Sequence, residues 1–266
     1  MTRCKRLLRV AAAAWLFSCV IIIAAHLSAQ EPKTLVKSSE PGASVGQLYF
    51  YSIKDRPAFE EGYRRHLGWH ARQNDQLAWY AWTIDSGARK GDFVDGTFGA
   101  TFAGLDARPD LRGDSADWVR NAGSYVTALD IETWTLWAVP STAAPLEDRR
   151  PETKLDVFLL LVDPGEVPSF EAAMEELAKA KRDTTKLSWY RAVRCDNLPA
   201  YMLLLTRKNW ADVGSAGPTI SEMLANAYAG TSARVAEVLR HVRTIRGETW
   251  SYEPRLALIP GRPLEP

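Results

Sequence analysis

Cysteine is scarce. Three occur in 266 residues, and two of them, Cys4 and Cys19, lie in an N-terminal segment set apart from the rest. Without that segment Cys195 stands alone, which excludes an internal disulfide and a cysteine-based metal cluster. Cys195 itself reads as an inert small hydrophobe in a strand. An excess of charge of one sign is missing as well: 33 basic side chains face 32 acidic ones, and residues 30–266 carry 29 against 32. Such a balance offers no electrostatic reason for nucleic-acid binding, which depends on clustered positive charge. The phosphate-binding Gly-Lys-Ser loop and the Gly-x-Gly-x-x-Gly fingerprint are absent, and the one Gly-x-Ser-x-Gly string, Gly42-Ala43-Ser44-Val45-Gly46, lies at the end of the segment read as a tether and not at a strand-to-helix elbow. Hydrolase, nucleotide-binding and dinucleotide-binding readings lose their usual support, and the balance leans away from an enzyme.

The N-terminal segment has the makings of an export signal. Arg3, Lys5, Arg6 and Arg9 form a basic start, Val10 to Ala25 is uncharged and apolar, and Leu27-Ser28-Ala29 offers a cleavage site before Gln30. The pattern predicts a signal peptide over residues 1–29 and a periplasmic or secreted product. Leu27 is larger than such sites favour, so the alternative is an uncleaved inner-membrane anchor, the only way the chain would touch a membrane. Residues 30–46, rich in Ser, Pro, Lys and Glu, read as a flexible tether.

Beyond the tether the chain repeats itself at an offset near 110 residues, its most informative feature. Pro57-Ala58-Phe59-Glu60 is answered by Pro168-Ser169-Phe170-Glu171, each opening a helix with proline in the first turn. Leu77-Ala78-Trp79-Tyr80 is answered by Leu187-Ser188-Trp189-Tyr190, Phe102-Ala103 by Trp210-Ala211, and Glu132-Thr133-Trp134 recurs unchanged as Glu248-Thr249-Trp250. Hydrophobic periodicity gives each copy the order βαββαβ. The first repeat spans 47–139 and the second 154–258, with a proline-containing linker at 140–153 and a tail at 259–266. In the first repeat the second helix is predicted to start at Asp114 as its N-cap, with Asp117 three residues on.

A βαββαβ order describes the ferredoxin-like split βαβ fold, an antiparallel sheet with two helices on one face. Trp79, Trp82, Trp134 and Trp137 occupy both parities of their strands, so the other sheet face must also be covered. Packing the sheets of the two repeats together would do so. On these grounds the chain resembles the dimeric α+β barrel superfamily, in which two ferredoxin-like units close a barrel between their sheets. The resemblance rests on element order, the Trp-Tyr strand, the glycine-containing strand and the Phe/Trp-Ala step. It implies an α+β fold and a range of functions, cofactorless oxygenases, haem-degrading enzymes and isomerases among them, so it does not select a chemistry.

His66 and His70 are the sharpest candidate pair, since i and i+4 on a helix put both imidazoles on one face. Three readings compete: structural histidines, a polar pocket, or a shared metal ion. The intervening Leu67-Gly68-Trp69 lacks the glutamate of a zinc-protease motif, and His66 falls opposite Leu177 of the other repeat, an ordinary core position. The structural reading is therefore preferred, and no metal or other cofactor is expected. Trp79, Tyr80, Trp82 and Trp134 are candidates to line an apolar cavity with the two histidines. Asp92 and Asp95 read as solvated turn residues, and Gly96 and Gly99 as a close approach of ligand or backbone, or as a bulge.

The sequence thus predicts an exported protein that binds a small apolar or aromatic molecule or a partner chain, including a second copy of itself. The alternative is a cofactorless or haem-dependent oxidoreductase or isomerase, with His66 or His70 as acid/base or axial ligand.

Overall fold

The computed structural model describes residues 44–181, 186–215, 217, 219–229 and 232–265. The expected signal peptide, and the tether up to residue 43, lie outside the described residues. Strands β1 (Val45–Ile53), β2 (Tyr80–Ser86), β3 (Phe93–Ala100) and β4 (Val126–Leu136) alternate with helices α1 (Arg56–Arg72), α2 (Phe102–Asp106) and α3 (Leu111–Asn121). The second half repeats the order with β5 (Lys154–Val162), α4 (Val167–Ala178), β6 (Leu187–Arg194) and β7 (Ala200–Arg207). Helices α5 (Trp210–Ser215), α6 (Ile220–Tyr228) and α7 (Ser232–Leu239) then precede β8 (Val242–Tyr252).

All pairings are antiparallel, and the strands run β1-β3-β2-β8-β5-β7-β6-β4 around a closed barrel, β4 returning to β1. The two halves meet edge to edge, β2 on β8 and β4 on β6. Closure leaves no sheet edge unpaired, which answers the aggregation hazard of open edges. The architecture is that of a dimeric α+β barrel formed within one chain.

Strand alternation sorts the side chains into layers. Leu48 and Phe50, Tyr80 and Trp82, Val94 and Phe98, Trp134, Tyr190, Met202 and Trp250 all enter one buried cluster inside the barrel. Their neighbours of opposite parity face the helices: Tyr51, Trp79, Ala81 and Phe93 pack against Phe59, Tyr63 and Leu67 of α1. In the second half Leu160, Trp189, Tyr201 and Leu203 meet α4, α6 and α7 in the same way. Strands β2, β3, β5 and β7 are largely buried on both faces because both faces are covered, whereas the first halves of β4 and β8 are largely exposed.

Local details differ from the sequence prediction for identifiable reasons. β1 starts at Val45, ahead of the expected start at Gln47, because Val45 and Gly46 pair with Thr135 and Trp134 of β4. Helix α3 begins at Leu111 rather than after Asp114. Asp110 is its N-cap, accepting a hydrogen bond from the Gly113 N–H at 2.9 Å, so Asp114 sits inside the first turn with its side chain free for other work. Asp95 is not a turn residue. It is the third residue of β3, on the helix-facing side, and only 3% exposed.

Of the two readings of the β3 glycines, both a close approach and a bulge are present. A Cβ on Gly96 would lie 2.5 Å from the Gln47 carbonyl oxygen of β1. Gly99, at φ +73°, occupies an extra residue of β3 between the pairs Val45–Ala100 and Gln47–Thr97. Residues 140–153 pack on the barrel: Leu146 joins the interior cluster and its carbonyl accepts the Tyr80 hydroxyl. Among the described residues no helix is long and apolar enough to cross a membrane.

One contact sets the stage for the site. A Cβ on Gly62 of α1 would fall 2.0 Å from the Asn121 carbonyl oxygen at the end of α3. Only glycine permits so close a crossing, and it brings the next turns of α1, which carry His66 and His70, against the acidic face of α3.

Candidate functional site

Helix α1 is anchored at its start by Asp55, whose side chain accepts from the Ala58 N–H, with Pro57 in the first turn. Phe59, Tyr63 and Leu67 seat it on the sheet, and the same buried stripe continues as His66 and His70, 6% and 3% exposed. Where a hydrophobic stripe turns polar, each polar atom needs a partner.

Each imidazole has its own carboxylate. His66 Nδ1 is 2.9 Å from Asp117 Oδ2, and His70 Nδ1 is 2.8 Å from Asp75 Oδ2. A carboxylate only accepts, so both Nδ1 atoms donate, and in the neutral form of each ring the Nε2 atom bears a lone pair. Those two lone pairs converge. The Nε2 atoms are 3.2 Å apart, and Asp114 Oδ1 is 3.3 Å from that of His66 and 3.4 Å from that of His70. The three atoms form a nearly equilateral triangle, each able to offer one ligand atom to a shared ion.

The surroundings hold this arrangement firmly. Asp75 also accepts from the Trp79 indole N–H at 3.0 Å and the Leu77 backbone N–H at 3.0 Å. Burial alone would raise Asp75, but the bonds from His70, Leu77 and Trp79 outweigh it and keep its carboxyl below the usual range. Arg108 donates from Nη2 to Asp114 Oδ2 at 2.6 Å and lies over the Trp79 ring at 4.9 Å. Trp69 stacks on His66 and Trp118 meets it edge-on. Burial lowers the pKa of His66, and the neighbouring His70 adds to the effect against the pull of Asp117 and Asp114. His66 is therefore less readily protonated than a free imidazole.

Beneath the triangle, on the sheet, Asp95 accepts the Tyr51 hydroxyl on Oδ2 at 3.2 Å. Burial pushes its pKa up to about 7, against the hydrogen bonds of Tyr63 and Tyr51. Asp95 Oδ1, Thr97 Oγ1 and Arg108 Nε are buried and make no hydrogen bond within the described chain.

The sequence-predicted pocket divides between two layers. His66, His70 and Trp79 come together on the helix side, with Trp79 5.0 Å from the His70 ring. Tyr80, Trp82 and Trp134 instead point into the barrel, where they pack with Phe98, Tyr190 and Trp250. The parity of β2 separates Trp79 from its neighbours on the same strand. Asp75, Asp114, Asp117, Asp95 and Arg108 were not among the predicted site residues, although Asp114 and Asp117 stand i, i+3 on α3, an acidic counterpart to the i, i+4 histidines of α1.

The haem alternative meets an obstacle. Among the described residues neither His66 nor His70 faces the barrel interior, and His241 sits at the end of α7, bound to Glu166 at 2.7 Å. An interior haem held by an axial histidine does not fit this arrangement.

No family model matches the chain. No curated protein matches its sequence. Solved structures do share its fold. A protein from Lactobacillus acidophilus described provisionally as a monooxygenase superposes with a TM-score of 0.54 at 11% identity, covering 79% of this chain and 94% of that one. A Fusobacterium nucleatum protein with the same description gives 0.53 at 8%, covering 80% and 94%. A mutant chlorite dismutase from Candidatus Nitrospira defluvii gives 0.51 at 13%, covering 80% and 92%. At such identities the likeness is one of fold.

Proposed function

We propose that this chain is a metalloprotein that binds one divalent transition-metal ion, zinc(II) foremost, through His66 Nε2, His70 Nε2 and Asp114 Oδ1, and that the ion makes it an enzyme. The observation that carries the proposal is the triangle of lone pairs at 3.2, 3.3 and 3.4 Å. Ligand atoms around a tetrahedral zinc with bonds of about 2.0–2.1 Å lie about 3.3–3.4 Å apart, whereas right-angled octahedral neighbours at the same bond length lie about 2.9–3.0 Å apart.

Three further features support it. Metal-ligating histidines donate their second ring N–H to a carboxylate, as both do here through Asp117 and Asp75. Charge is consistent with it: with both imidazoles neutral, Asp75, Asp114 and Asp117 carry three negative charges against the guanidinium that Arg108 places on Asp114, an excess of two that a divalent ion would cancel. Finally, the fold does not need the cluster. The corresponding helix pair of the second half, α4 on α7, packs through Phe170, Met174, Leu177, Val235 and Val238.

Three protein ligands are the number found where a metal keeps a position for water or substrate, and such an ion brings bound water to a pKa near about 7. Two histidines and a carboxylate also suit iron(II) in oxygenases. That second reading agrees with the provisional description of two fold neighbours as monooxygenases, while the tetrahedral edge lengths favour zinc. In either form the proposal keeps an exported chain, periplasmic or secreted, built of two repeats.

Calorimetric titration of the chelator-stripped chain with zinc(II) tests the reading. One site per chain is expected, with a rise in melting temperature because the ion binds only the folded state, and both are lost in His66→Ala and Asp114→Ala. Absence of heat and of any shift in the unaltered chain means the triangle is not a metal site.

A further inference from the structure

The second half carries a buried ion pair that the first half lacks. Arg207 ends β7, and its Nε donates to Asp156 Oδ2 of β5 at 3.1 Å, each side chain only 7% exposed. Asp156 Oδ1 in turn accepts the Thr249 hydroxyl of β8 at 3.0 Å. The strand pairings give the corresponding positions of the first half: Lys154–Arg207 answers Val45–Ala100, and Asp156–Thr249 answers Gln47–Thr133. An alanine and a glutamine therefore serve the barrel where the arginine and the aspartate stand. Taking two charges out of water costs about as much as their pairing returns, so the pair calls for a reason other than the fold.

Arg207 lines a cavity of about 420 Å³ that is also lined by residues of α5 and α6. Asp156 holds the guanidinium at Nε. Its Nη2 lies 3.7 Å from Met223 Sδ of α6, a weak acceptor on the same cavity wall, and among the described residues the side chain has no other polar partner. An arginine fixed by a carboxylate at one edge, with the rest of its fork on a cavity, presents N–H groups suited to a second carboxylate. Lys186 and Lys208 add positive charge to the wall, and Glu152 and Asp212 add negative. Glu152 pairs with Lys186 at 3.4 Å. Asp212 Oδ2 accepts the Lys208 backbone N–H at 2.9 Å and, among the described residues, Asp212 meets no cationic side chain.

We infer that this cavity binds a free aliphatic α-amino acid, at a site separate from the histidine cluster and independent of the metal reading. The ligand carboxylate takes the Arg207 fork, its ammonium meets Asp212, and its side chain lies on Leu205 and Met223, the apolar part of the wall. Charge selects the class. Lys186, Arg207 and Lys208 face Glu152 and Asp212 across the cavity wall, and Asp156 behind Arg207 makes the balance even. A ligand without net charge keeps it even, and a wall that carries both signs favours a molecule that carries both. The volume falls in the range of about 300–1,000 Å³ usual for small-molecule sites.

Calorimetric titration of the full chain with L-leucine provides the test, beside 4-methylpentanoate, which lacks only the amine, and 3-methylbutylamine, which lacks only the carboxylate. Leucine is expected to bind once per chain and to raise the melting temperature, with each truncated compound at least tenfold weaker. Arg207→Lys keeps the charge beside Asp156 but loses the fork, and Asp212→Asn keeps an acceptor for the Lys208 N–H but loses the charge. Each is expected to weaken leucine at least tenfold. If Arg207→Lys does not fold, Asp212→Asn decides alone. No binding of leucine to the unaltered chain, binding of 4-methylpentanoate as tight as that of leucine, or leucine affinity unchanged in Asp212→Asn overturns the inference. Zinc titration of the same variants reads the histidine cluster separately, so the two readings fail independently.

Discussion

His66 and His70 turn their Nε2 atoms toward each other at 3.2 Å while each Nδ1 is held by a separate aspartate. Had the pair been placed for packing alone, one carboxylate and one shared proton would have sufficed. Instead each ring has its own carboxylate at Nδ1, and both Nε2 atoms lie 3.3–3.4 Å from Asp114 Oδ1. The predictions below follow from that arrangement and from the fold that supports it.

Asp117→Asn replaces the charged acceptor behind His66 Nδ1 with a neutral amide and leaves the ligand atoms in place. Zinc affinity is expected to fall about 10–100-fold, the usual effect of losing a carboxylate behind a metal-bound histidine. Asp75→Asn does the same through His70 and also weakens the bonds from Trp79 and Leu77, so it lowers the melting temperature of the metal-free chain as well. Competition with a chromophoric chelator measures the first effect and thermal denaturation the second. Unchanged affinity in both variants would contradict the assigned tautomers.

Gly62→Ala tests whether the α1–α3 crossing builds the site. The added methyl meets the Asn121 carbonyl oxygen, and relieving that clash is expected to cost about 1–3 kcal/mol and to move α1 away from Asp114. Zinc affinity should drop at least tenfold although no ligand is touched. Gly68→Ala on the same helix is the control. Its Cβ meets only the mobile end of Arg72 at 3.4 Å, and it should hold affinity while gaining up to about 1 kcal/mol of helix stability.

Glu132 gives a pH signature independent of the metal. Burial raises its pKa to about 7, against the attraction of Arg89 and the hydrogen bond from the Trp134 indole. Between about pH 4.5 and 7 the folded state therefore holds a proton that the unfolded state releases, and stability falls as pH rises through that window. At about 1.4 kcal/mol per pKa unit, the contribution lost is on the order of 3 kcal/mol. Urea unfolding of Glu132→Gln at pH 5 and pH 8 should lack this slope. Parallel behaviour of the two chains would contradict it.

His66 titrates with the opposite sign. Burial and the neighbouring His70 lower its pKa, so the unfolded chain binds the extra proton first and the metal-free protein loses this part of its stability as pH falls through about 6.5. The difference in stability between the unaltered chain and His66→Gln, both metal-free, should shrink from pH 7.5 to 5.5. Taking the difference removes the opposing slopes of Asp95 and Glu132. Saturating zinc should deepen the pH dependence, because protons and metal compete for the same lone pairs.

Much of the fold was legible because the chain states it twice. Trp134 and Trp250, read as equivalent from the repeated Glu-Thr-Trp, occupy matching places in β4 and β8, each donating its indole N–H to the glutamate two residues before it. Trp79 and Trp189 likewise face the helices while Tyr80 and Tyr190 enter the barrel. The histidine pair was legible from its i, i+4 spacing. Its partners were not, because Asp75, Asp114 and Asp117 approach from a loop and a second helix, and the contact depends on the three-dimensional crossing at Gly62. One signal was in the sequence: the second helix of the first repeat carries Asp114 and Asp117 at i, i+3 beside Trp118, an acidic pair next to its one large aromatic. A helix that turns an acid inward needs a cationic or donating partner, and two histidines lay unassigned.

The most direct test of the central claim is a crystal of the zinc-soaked chain measured on both sides of the zinc absorption edge. The account predicts one anomalous peak within about 2.0–2.2 Å of His66 Nε2, His70 Nε2 and Asp114 Oδ1, with Asp117 and Asp75 still on the Nδ1 atoms. A map with no peak between the three atoms, or a peak only at surface carboxylates, would contradict it and return the histidines to a structural role.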